Sequence, residues 1–250
     1  MGAVNNMQQQ SLKQRMRDGQ VIVGIVIPPR IERQRFKAIL DHGPFDFVAV
    51  DSQHNPLNES GLVEVCALAG EFGIPVQFRI KHTRHTYLIG NMLDLGPTGI
   101  EVPQVELDST VDEAIENLYY PPIGKRSFGP IAGVGAKDHP DPFEYAKWWN
   151  ANGILWLQLE SVEAVEKVYR LAKSGADCMS FGPTDLSFSL KYNSHPRLKT
   201  VDDCVHHVVR SLEESSVSVC MRSFAANKRQ QYIDMGVTVI LEHFASLTLP

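Results

Sequence analysis

Acidic, basic and imidazole side chains recur in this sequence directly after short apolar runs. Asp51 and His54 follow one run, Arg79 ends the next, and Glu160 and Asp185 follow two later ones. If these runs are parallel strands, the two carboxylates Glu160 and Asp185 lie at one rim and form a hard oxygen site. Mg²⁺ or Mn²⁺ suits such a site, completed by water and an oxygen-rich substrate. The same two acids could instead be solvated loop residues or caps of the helices that follow.

Asp51 and His54 have the spacing of an acid/base pair. A carboxylate three residues from a histidine can orient the imidazole and raise its basicity. Both residues could instead cap a helix that starts near Pro56. Arg79 stands in an otherwise apolar segment, and a buried arginine needs a partner. That partner is either a structural carboxylate such as Asp51 or an anionic substrate.

A third signal is the segment made by Gly182, Pro183, Thr184 and Asp185. It could present successive backbone N–H groups at the start of a helix, where a substrate carboxylate binds. The alternative is a plain turn from a strand into a helix.

Eight short apolar runs carry these residues and alternate with helical patterns. The runs cover residues 21–27, 45–50, 75–80, 99–105, 154–159, 178–182, 217–221 and 238–241. Most are rich in Val and Ile, as strands buried on both faces are. The alternation predicts one (β/α)8 barrel over residues 1–250, preceded by an N-terminal helix at about residues 8–18. An open doubly wound sheet is the alternative, and the glycine-rich first turn typical of it is absent.

Two stretches depart from the regular repeat. The connection at 105–154 is too long for one helix, and its loop at 120–130 is expected to cover part of the barrel mouth. The chain stops soon after the eighth run, so the final helix is expected to be missing or truncated. An apolar eighth strand left open to water would mark a subunit interface. The alternative is a monomer in which residues 244–250 cover that strand and the N-terminal helix covers the barrel bottom.

The composition excludes several classes of protein. The net charge of −5 shows no basic excess, so a nucleic-acid partner is not expected. No apolar stretch approaches the ~20 residues of a membrane span, and the polar N-terminus lacks a signal-peptide core. The four cysteines have no CxxC spacing, which indicates reduced and mostly buried thiols. We therefore expect a cytoplasmic protein without a membrane partner.

Together these segments resemble the HpcH/HpaI family of metal-dependent (class II) pyruvate aldolases, which includes the dihydroxyheptenedioate and dehydrodeoxyglucarate aldolases. The resemblance runs from about Gly19 to Met235. It is carried by GPFDFVAVDSQH at 43–54, FR at 78–79, MLDLG at 92–96, VPQV at 102–105, YPPIGKR at 120–126, QLE at 158–160 and FGPTDLS at 181–187. Each motif is weak alone, but their order and spacing are specific.

The resemblance implies a role for each matching residue. Glu160 and Asp185 would hold a divalent cation (Mg²⁺, Mn²⁺ or Co²⁺). His54, oriented by Asp51, would be the base, and Arg79 would bind the keto oxygen and stabilise the enolate.

The remaining implied roles concern substrate binding and assembly. Gln158 matches a position beside the metal, and the backbone N–H groups of Thr184 and Asp185 would bind the substrate carboxylate. Asp94 matches a position that completes a neighbouring subunit's site, and members of the family are typically hexamers. A homo-oligomer, most simply a hexamer, is therefore expected.

The implied reaction is the aldol cleavage or formation of 4-hydroxy-2-oxo acids through a pyruvate enolate, with a 2-keto acid and an aldehyde as substrates. Decarboxylation of oxaloacetate gives the same enolate, so a citrate-synthase-like or decarboxylative condensing enzyme is an alternative. A non-catalytic barrel subunit is a further alternative, against which the intact site residues argue.

This chain departs from the family pattern at several positions. Gln53 replaces the usual glutamate before the histidine, and 241–244 replaces a turn with Gly and Asp. Lys81, Arg84 and Arg222 are additional basic residues. Arg84 and Arg222 are candidate contacts for a second substrate such as a polycarboxylate or the phosphates of CoA. These cations could instead be solvated loop residues.

Overall fold

The computed structural model describes residues 10–129, 133–224 and 228–243. Eight parallel strands pair in chain order, and the first pairs with the last, so the sheet closes into a barrel. The strands are β1 (Ile22–Val26), β2 (Phe47–Asp51), β3 (Val76–Arg79), β4 (Gly99–Val102), β5 (Ile154–Leu159), β6 (Cys178–Phe181), β7 (Ser218–Ser223) and β8 (Val239–His243). The eight predicted strands and the barrel are confirmed.

Helices surround this barrel. They are α1 (Leu12–Arg17), α2 (Arg33–Leu40), α3 (Glu59–Glu71), α4 (Ile89–Leu93), α5 (Asp108–Leu118), α6 (Pro142–Asn152), α7 (Val162–Glu166), α8 (Val168–Leu171), α9 (Pro183–Tyr192), α10 (Val201–Ser211) and α11 (Arg229–Asp234), with a 3-10 helix at Thr83–Leu88. None of the described helices is long and apolar enough to span a bilayer.

Side chains of each strand alternate between the barrel interior and the surrounding helices. One buried cluster fills the barrel interior on the amino-terminal side of the strand ends and includes Phe47, Ala49, Trp156, Cys220 and Leu241. The intervening strand residues belong to the larger core that contacts the helices. At the carboxyl ends of the strands, the inward-facing series reaches a polar residue in every strand except β1, where Val26 holds this position. The alternation therefore brings these polar side chains together at the carboxyl ends of the strands: Asp51, Arg79, Glu101, Gln158, Ser180, Arg222 and His243.

The N-terminal helix closes the opposite end of the barrel. Met16 of α1 packs into the interior cluster, and Lys13 is almost completely buried. The Nζ of Lys13 donates to the hydroxyl of Tyr119 (2.7 Å) and to the carbonyl of Gly153 (2.6 Å), and it lies 3.2 Å from Oδ2 of Asp177. Burial lowers the pKa of Lys13, although Asp177 opposes that shift. The predicted helix is present from Leu12, while residues 8 and 9 lie outside the described residues.

Two expectations about what covers the barrel were wrong, one for its mouth and one for the outer face of β8. The described part of the 120–130 loop does not line the mouth, because it packs at the other end of the barrel. There Arg126 lies over the rings of Tyr120 and Trp149. The outer face of β8 is not open either, since Ile240 is fully buried and Glu242 accepts a hydrogen bond from Arg229 of α11 (2.8 Å). Residues 244–250, the predicted cover of β8, lie outside the described residues.

The cysteine prediction is confirmed. All four cysteines are free, three of them buried and Cys66 partly buried. Burial raises the pKa of the Cys66 thiol to about 12, which keeps it protonated and unreactive.

Candidate functional site

A cavity of about 560 Å³ occupies the mouth of the barrel, at the carboxyl ends of the strands. All eight strands or the loops directly after them contribute to its lining. In this fold that rim is where chemistry takes place. Ten of the sequence-predicted residues line it: Asp51, His54, Arg79, Gln158, Glu160, Gly182, Pro183, Thr184, Asp185 and Arg222.

Asp51 and Arg79 form an ion pair on one side of the cavity. They are direct neighbours across β2 and β3, and Nε of Arg79 donates to Oδ1 of Asp51 at 2.7 Å. Nη1 of Arg79 also donates to Oε1 of Gln158 at 3.2 Å. Burial alone would raise the pKa of Asp51, but the hydrogen bond and charge of Arg79 outweigh it and hold the pKa below its usual value. Of the two partners that the sequence left open for Arg79, the structure supplies the carboxylate.

The same carboxylate shapes the loop that carries His54. It accepts hydrogen bonds from the backbone N–H of Gln53 (2.9 Å) and His54 (3.3 Å) and from Nδ2 of Asn55 (3.2 Å). Among the described residues, no hydrogen bond joins the Asp51 carboxylate to the His54 imidazole. Arg79 and the loop backbone already occupy the carboxylate. His54 is exposed at the cavity edge, so a substrate can reach its ring.

Glu160 directly follows β5 and is buried. Its Oε2 accepts a hydrogen bond from the backbone N–H of Gln104 at 3.0 Å. Gln104 has a φ of +50°, a conformation that L-residues rarely adopt. Gly182 packs so closely that a Cβ there would lie 2.4 Å from Oε1 of Glu160, so a larger residue at this position would displace the Glu160 side chain.

Burial and a second carboxylate together perturb Glu160. Burial first, and then the negative charge of Asp185 on α9, raise the pKa of Glu160 to about 7. Two carboxylates that repel each other in a partly dry site gain most from a cation placed between them. Mg²⁺ is typically bound by one or two carboxylates together with water and substrate oxygens. The described residues contain no cluster of three His, Cys, Asp or Glu that could hold a metal ion. As a pair of carboxylates, Glu160 and Asp185 fit a cation that takes its remaining ligands from water and substrate.

The start of α9 also faces the cavity. Gly182 caps this helix without a side-chain hydrogen bond, and Pro183 occupies its first turn. The N–H groups of Thr184 and Asp185 lie in that first turn, where a helix offers no internal acceptor. An anion bound here would gain both these donors and the helix dipole.

Arg222, a candidate contact for a second substrate, is paired within the protein. Its Nη2 donates to both carboxylate oxygens of Glu101, at 2.8 and 2.6 Å, and its Nη1 donates to the carbonyl of Phe181 at 3.1 Å. Ser180 also donates a hydrogen bond to Glu101. Arg222 is thus neither a solvated loop cation nor a free contact, although it lines the cavity.

Two other predicted residues lie away from the cavity. Arg84 is exposed on the 3-10 helix and is not among the residues that line the mouth. Asp94 follows α4, which precedes β4, and so lies toward the end of the barrel opposite the mouth. Its carboxylate accepts a hydrogen bond from the buried Arg126 at 2.6 Å.

Three lining residues with charged or aromatic side chains, Glu101, Phe224 and His243, had no predicted role. Glu101 is the acid that neutralises Arg222, while Phe224 and His243 follow one another around the rim, with rings 5.8 Å apart. Burial, and then the charge of Arg222, lower the pKa of His243, whereas Asp51 opposes that shift. Glu101 and His243 could have been found from the two-residue alternation of inward-facing positions, which runs from Gly99 to Glu101 and from Leu241 to His243.

A closed parallel barrel of eight strands, with four carboxylates and two paired arginines at its mouth, defines a (β/α)8 protein. Residues 32–241 match the model of the family described as HpcH/HpaI aldolase/citrate lyase, and the chain belongs to this family.

Individual relatives are distant. A 5-keto-4-deoxy-D-glucarate aldolase from Shigella boydii serotype 18 is 27% identical over 209 residues, which cover 81% of this chain and 78% of that protein. The crystal structure of an HpcH/HpaI aldolase from Desulfitobacterium hafniense DCB-2 superposes with a TM-score of 0.78 at 25% identity, covering 94% of this chain and 90% of that one. Citrate synthase SbnG has the same TM-score of 0.78 at 24% identity, over 94% of this chain and 91% of that one, a likeness of fold.

Proposed function

We propose that this chain is a carbon–carbon lyase that cleaves or forms 4-hydroxy-2-oxo acids with the help of a divalent cation. The observation that carries the proposal is the pair Glu160 and Asp185, in which burial and mutual repulsion raise the pKa of Glu160 to about 7. The pair lines the same cavity as Arg79 and the start of α9. Membership of an aldolase and lyase family supports the same reaction class.

A divalent cation held by Glu160 and Asp185 would act as a Lewis acid on the keto oxygen of a 2-keto acid. The substrate carboxylate would bind the N–H groups of Thr184 and Asp185 at the start of α9. Arg79 places positive charge where negative charge develops on the keto oxygen of pyruvate as the enolate forms. Asp51 and Gln158 fix the orientation of its guanidinium.

His54 is proposed to move the proton. In the cleavage direction it removes the proton from the 4-hydroxyl group, and in the condensation direction it returns a proton to the same oxygen. Its exposed position at the cavity edge leaves the ring accessible to the part of the substrate that extends away from Glu160.

The condensing-enzyme alternative loses its main support. It depended on free basic groups for a polycarboxylate or for the phosphates of CoA. Arg222 is paired with Glu101, and Arg84 lies outside the cavity. The observed pairing therefore favours an aldehyde as the second substrate.

We also propose that the chain forms a homo-oligomer in which Asp94 approaches a neighbouring subunit's site. Phe188 and Tyr192 support an interface, since they lie one turn apart on α9 with 60% and 75% of their surface exposed. Light scattering tests the assembly. A hexamer fits the proposal, and a monodisperse 27.9 kDa species with full activity contradicts it.

The test of the metal assignment is calorimetric titration with Mg²⁺, Mn²⁺ and Co²⁺, run beside an assay of oxaloacetate decarboxylation. Glu160→Ala and Asp185→Ala are expected to lose both cation binding and turnover while keeping the fold, because water does not replace a carboxylate ligand at equal affinity. Glu106→Ala, at an exposed acid outside the cavity lining, is the matched control. Unchanged affinity in either test variant contradicts the assignment.

A further inference from the structure

We propose that the second substrate of this site is an uncharged aldehyde rather than an aldehyde that bears a carboxylate. This inference rests on the proposed function and concerns the part of the cavity that pyruvate leaves open. It follows from the charges of the lining and from the chemistry of the wall formed by β7, β8 and β1.

The charges of the cavity lining are already matched. Four carboxylates and two guanidinium groups line it. Arg79 is paired with Asp51 at 2.7 Å, and Arg222 is paired with Glu101 at 2.6 Å.

The two acids that remain, Glu160 and Asp185, carry a formal charge of −2, which one divalent cation balances. The carboxylate of pyruvate then makes the occupied site negative. Within one copy of the chain, a second carboxylate would enter without a positive partner, and burying an unpaired charge is costly.

No other cation of this chain reaches the cavity lining. The segments outside the described residues, 1–9, 130–132, 225–227 and 244–250, contain no Lys, Arg, Asp or Glu. All lysines and arginines are therefore in the described part. Among them Lys81 is exposed and lines a separate cavity together with Ser52 and His85, and Arg84 is exposed outside both.

The wall opposite Glu160 is suited to an uncharged group. It is lined by Val26, Pro28, Leu241 and Phe224, with His243 as its polar member. Pro28 and the neighbouring Pro29 have no N–H group, so this stretch of backbone gives an anion no donors.

His243 provides the polar contact of this wall. Its imidazole is flanked by Phe224 at 5.8 Å, by Arg222 and Asp51 as charged groups, and by Val26 on the paired strand β1. Burial and Arg222 favour the neutral imidazole over the cation, against the opposing effect of Asp51. A neutral imidazole donates to, or accepts from, a carbonyl or hydroxyl group. It supplies no net charge for a carboxylate.

The condensation that this wall would serve balances without a further reactant. A base takes one proton from C3 of pyruvate, and C3 then forms a bond to the carbonyl carbon of the aldehyde. The aldehyde oxygen becomes an alkoxide and takes up one proton. The product is a 4-hydroxy-2-oxo acid that contains all atoms of both substrates.

Two matched aldehydes test the inference on the full chain with Mg²⁺ and pyruvate. They are 4-oxobutanoate and its methyl ester, which differ in the charge of one end. The expected result is a kcat/KM at least tenfold higher for the ester. Equal values, or a preference for the acid, overturn the inference.

Substitutions at His243 sharpen the test. His243→Arg places a permanent cation on the wall and is expected to shift the ratio of kcat/KM values toward the acid at least tenfold. His243→Gln keeps a neutral polar group and is expected to leave the ratio within twofold of the wild-type value. His243→Lys repeats the charge change if the arginine variant does not fold. A ratio that the charged variants leave unchanged overturns the assignment of this wall to the aldehyde.

Oxaloacetate decarboxylation on the same samples separates the inference from the proposed function. It needs only the residues proposed to bind the cation and stabilise the enolate, and not the wall assigned to the aldehyde. Decarboxylation without discrimination between the aldehydes overturns the inference and leaves the proposed function standing. The absence of decarboxylation and of any aldol product contradicts the proposed function, and the inference with it.

Discussion

Replacing Glu160 by glutamine should stabilise the metal-free protein, and only at neutral and higher pH. Burial and Asp185 raise the pKa of Glu160 from 4.5 to about 7. This difference in pKa of about 2.5 corresponds to roughly 3 kcal/mol of unfolding free energy, which the folded state loses when this carboxylate ionises. Because the pKa is raised on folding, the loss is small near pH 5 and complete above pH 7. Glu160→Gln removes it.

The assay is unfolding in urea or by heat, in EDTA, at pH 5 and at pH 8, for the wild type and the variant. The stability gained by Glu160→Gln is expected to be about 2–3 kcal/mol larger at pH 8 than at pH 5. For a chain of this length that equals roughly 5–10 °C in Tm. With saturating Mg²⁺ at pH 8, the wild type should gain stability and the variant should not.

Two further variants define the origin of the effect. Asp185→Asn removes the second-largest cause of the raised pKa and should reproduce part of the gain. Glu106→Gln changes an exposed acid outside the cavity lining and should reproduce none of it. A stability difference between wild type and Glu160→Gln that is the same at both pH values would refute the reasoning.

His54→Ala is expected to lower aldol turnover at least 100-fold and to keep most oxaloacetate decarboxylation, since that reaction forms the enolate without proton abstraction; steady-state kinetics on both substrates compares them. Arg79→Lys keeps the charge but loses the planar fork that binds Asp51, so kcat should fall about 10²–10³-fold; an unchanged kcat excludes Arg79 from enolate stabilisation. Lys13→Met leaves Asp177 short of a buried partner and should cost about 3 kcal/mol in urea unfolding, with Mg²⁺ affinity unchanged.

The strands and most of the lining were predictable because both follow from local patterns. Runs of Val and Ile indicate strands buried on both faces, and the carboxyl ends of parallel strands converge at one rim. His54, Arg79 and Glu160 each stand at such an end. The sequence therefore locates their positions without any knowledge of the contacts they make.

The partners of these side chains were not predictable. Arg222 and Glu101 are 121 residues apart, on β7 and β4, and they meet only because the barrel closes. Asp51 was expected to contact the His54 ring because three residues separate them. Strand register instead places Arg79 directly beside its carboxylate. The cover of β8 likewise depends on α11, since Arg229 reaches Glu242 from that helix.

The most direct measurement of the central claim is the exchange of the methyl protons of pyruvate in D₂O, followed by NMR. We expect exchange that requires the protein and a divalent cation together and that EDTA stops. Glu160→Ala and Asp185→Ala should each abolish it, while Glu106→Ala should not. Exchange that continues at the wild-type rate in EDTA or in either of the first two variants would contradict the central claim.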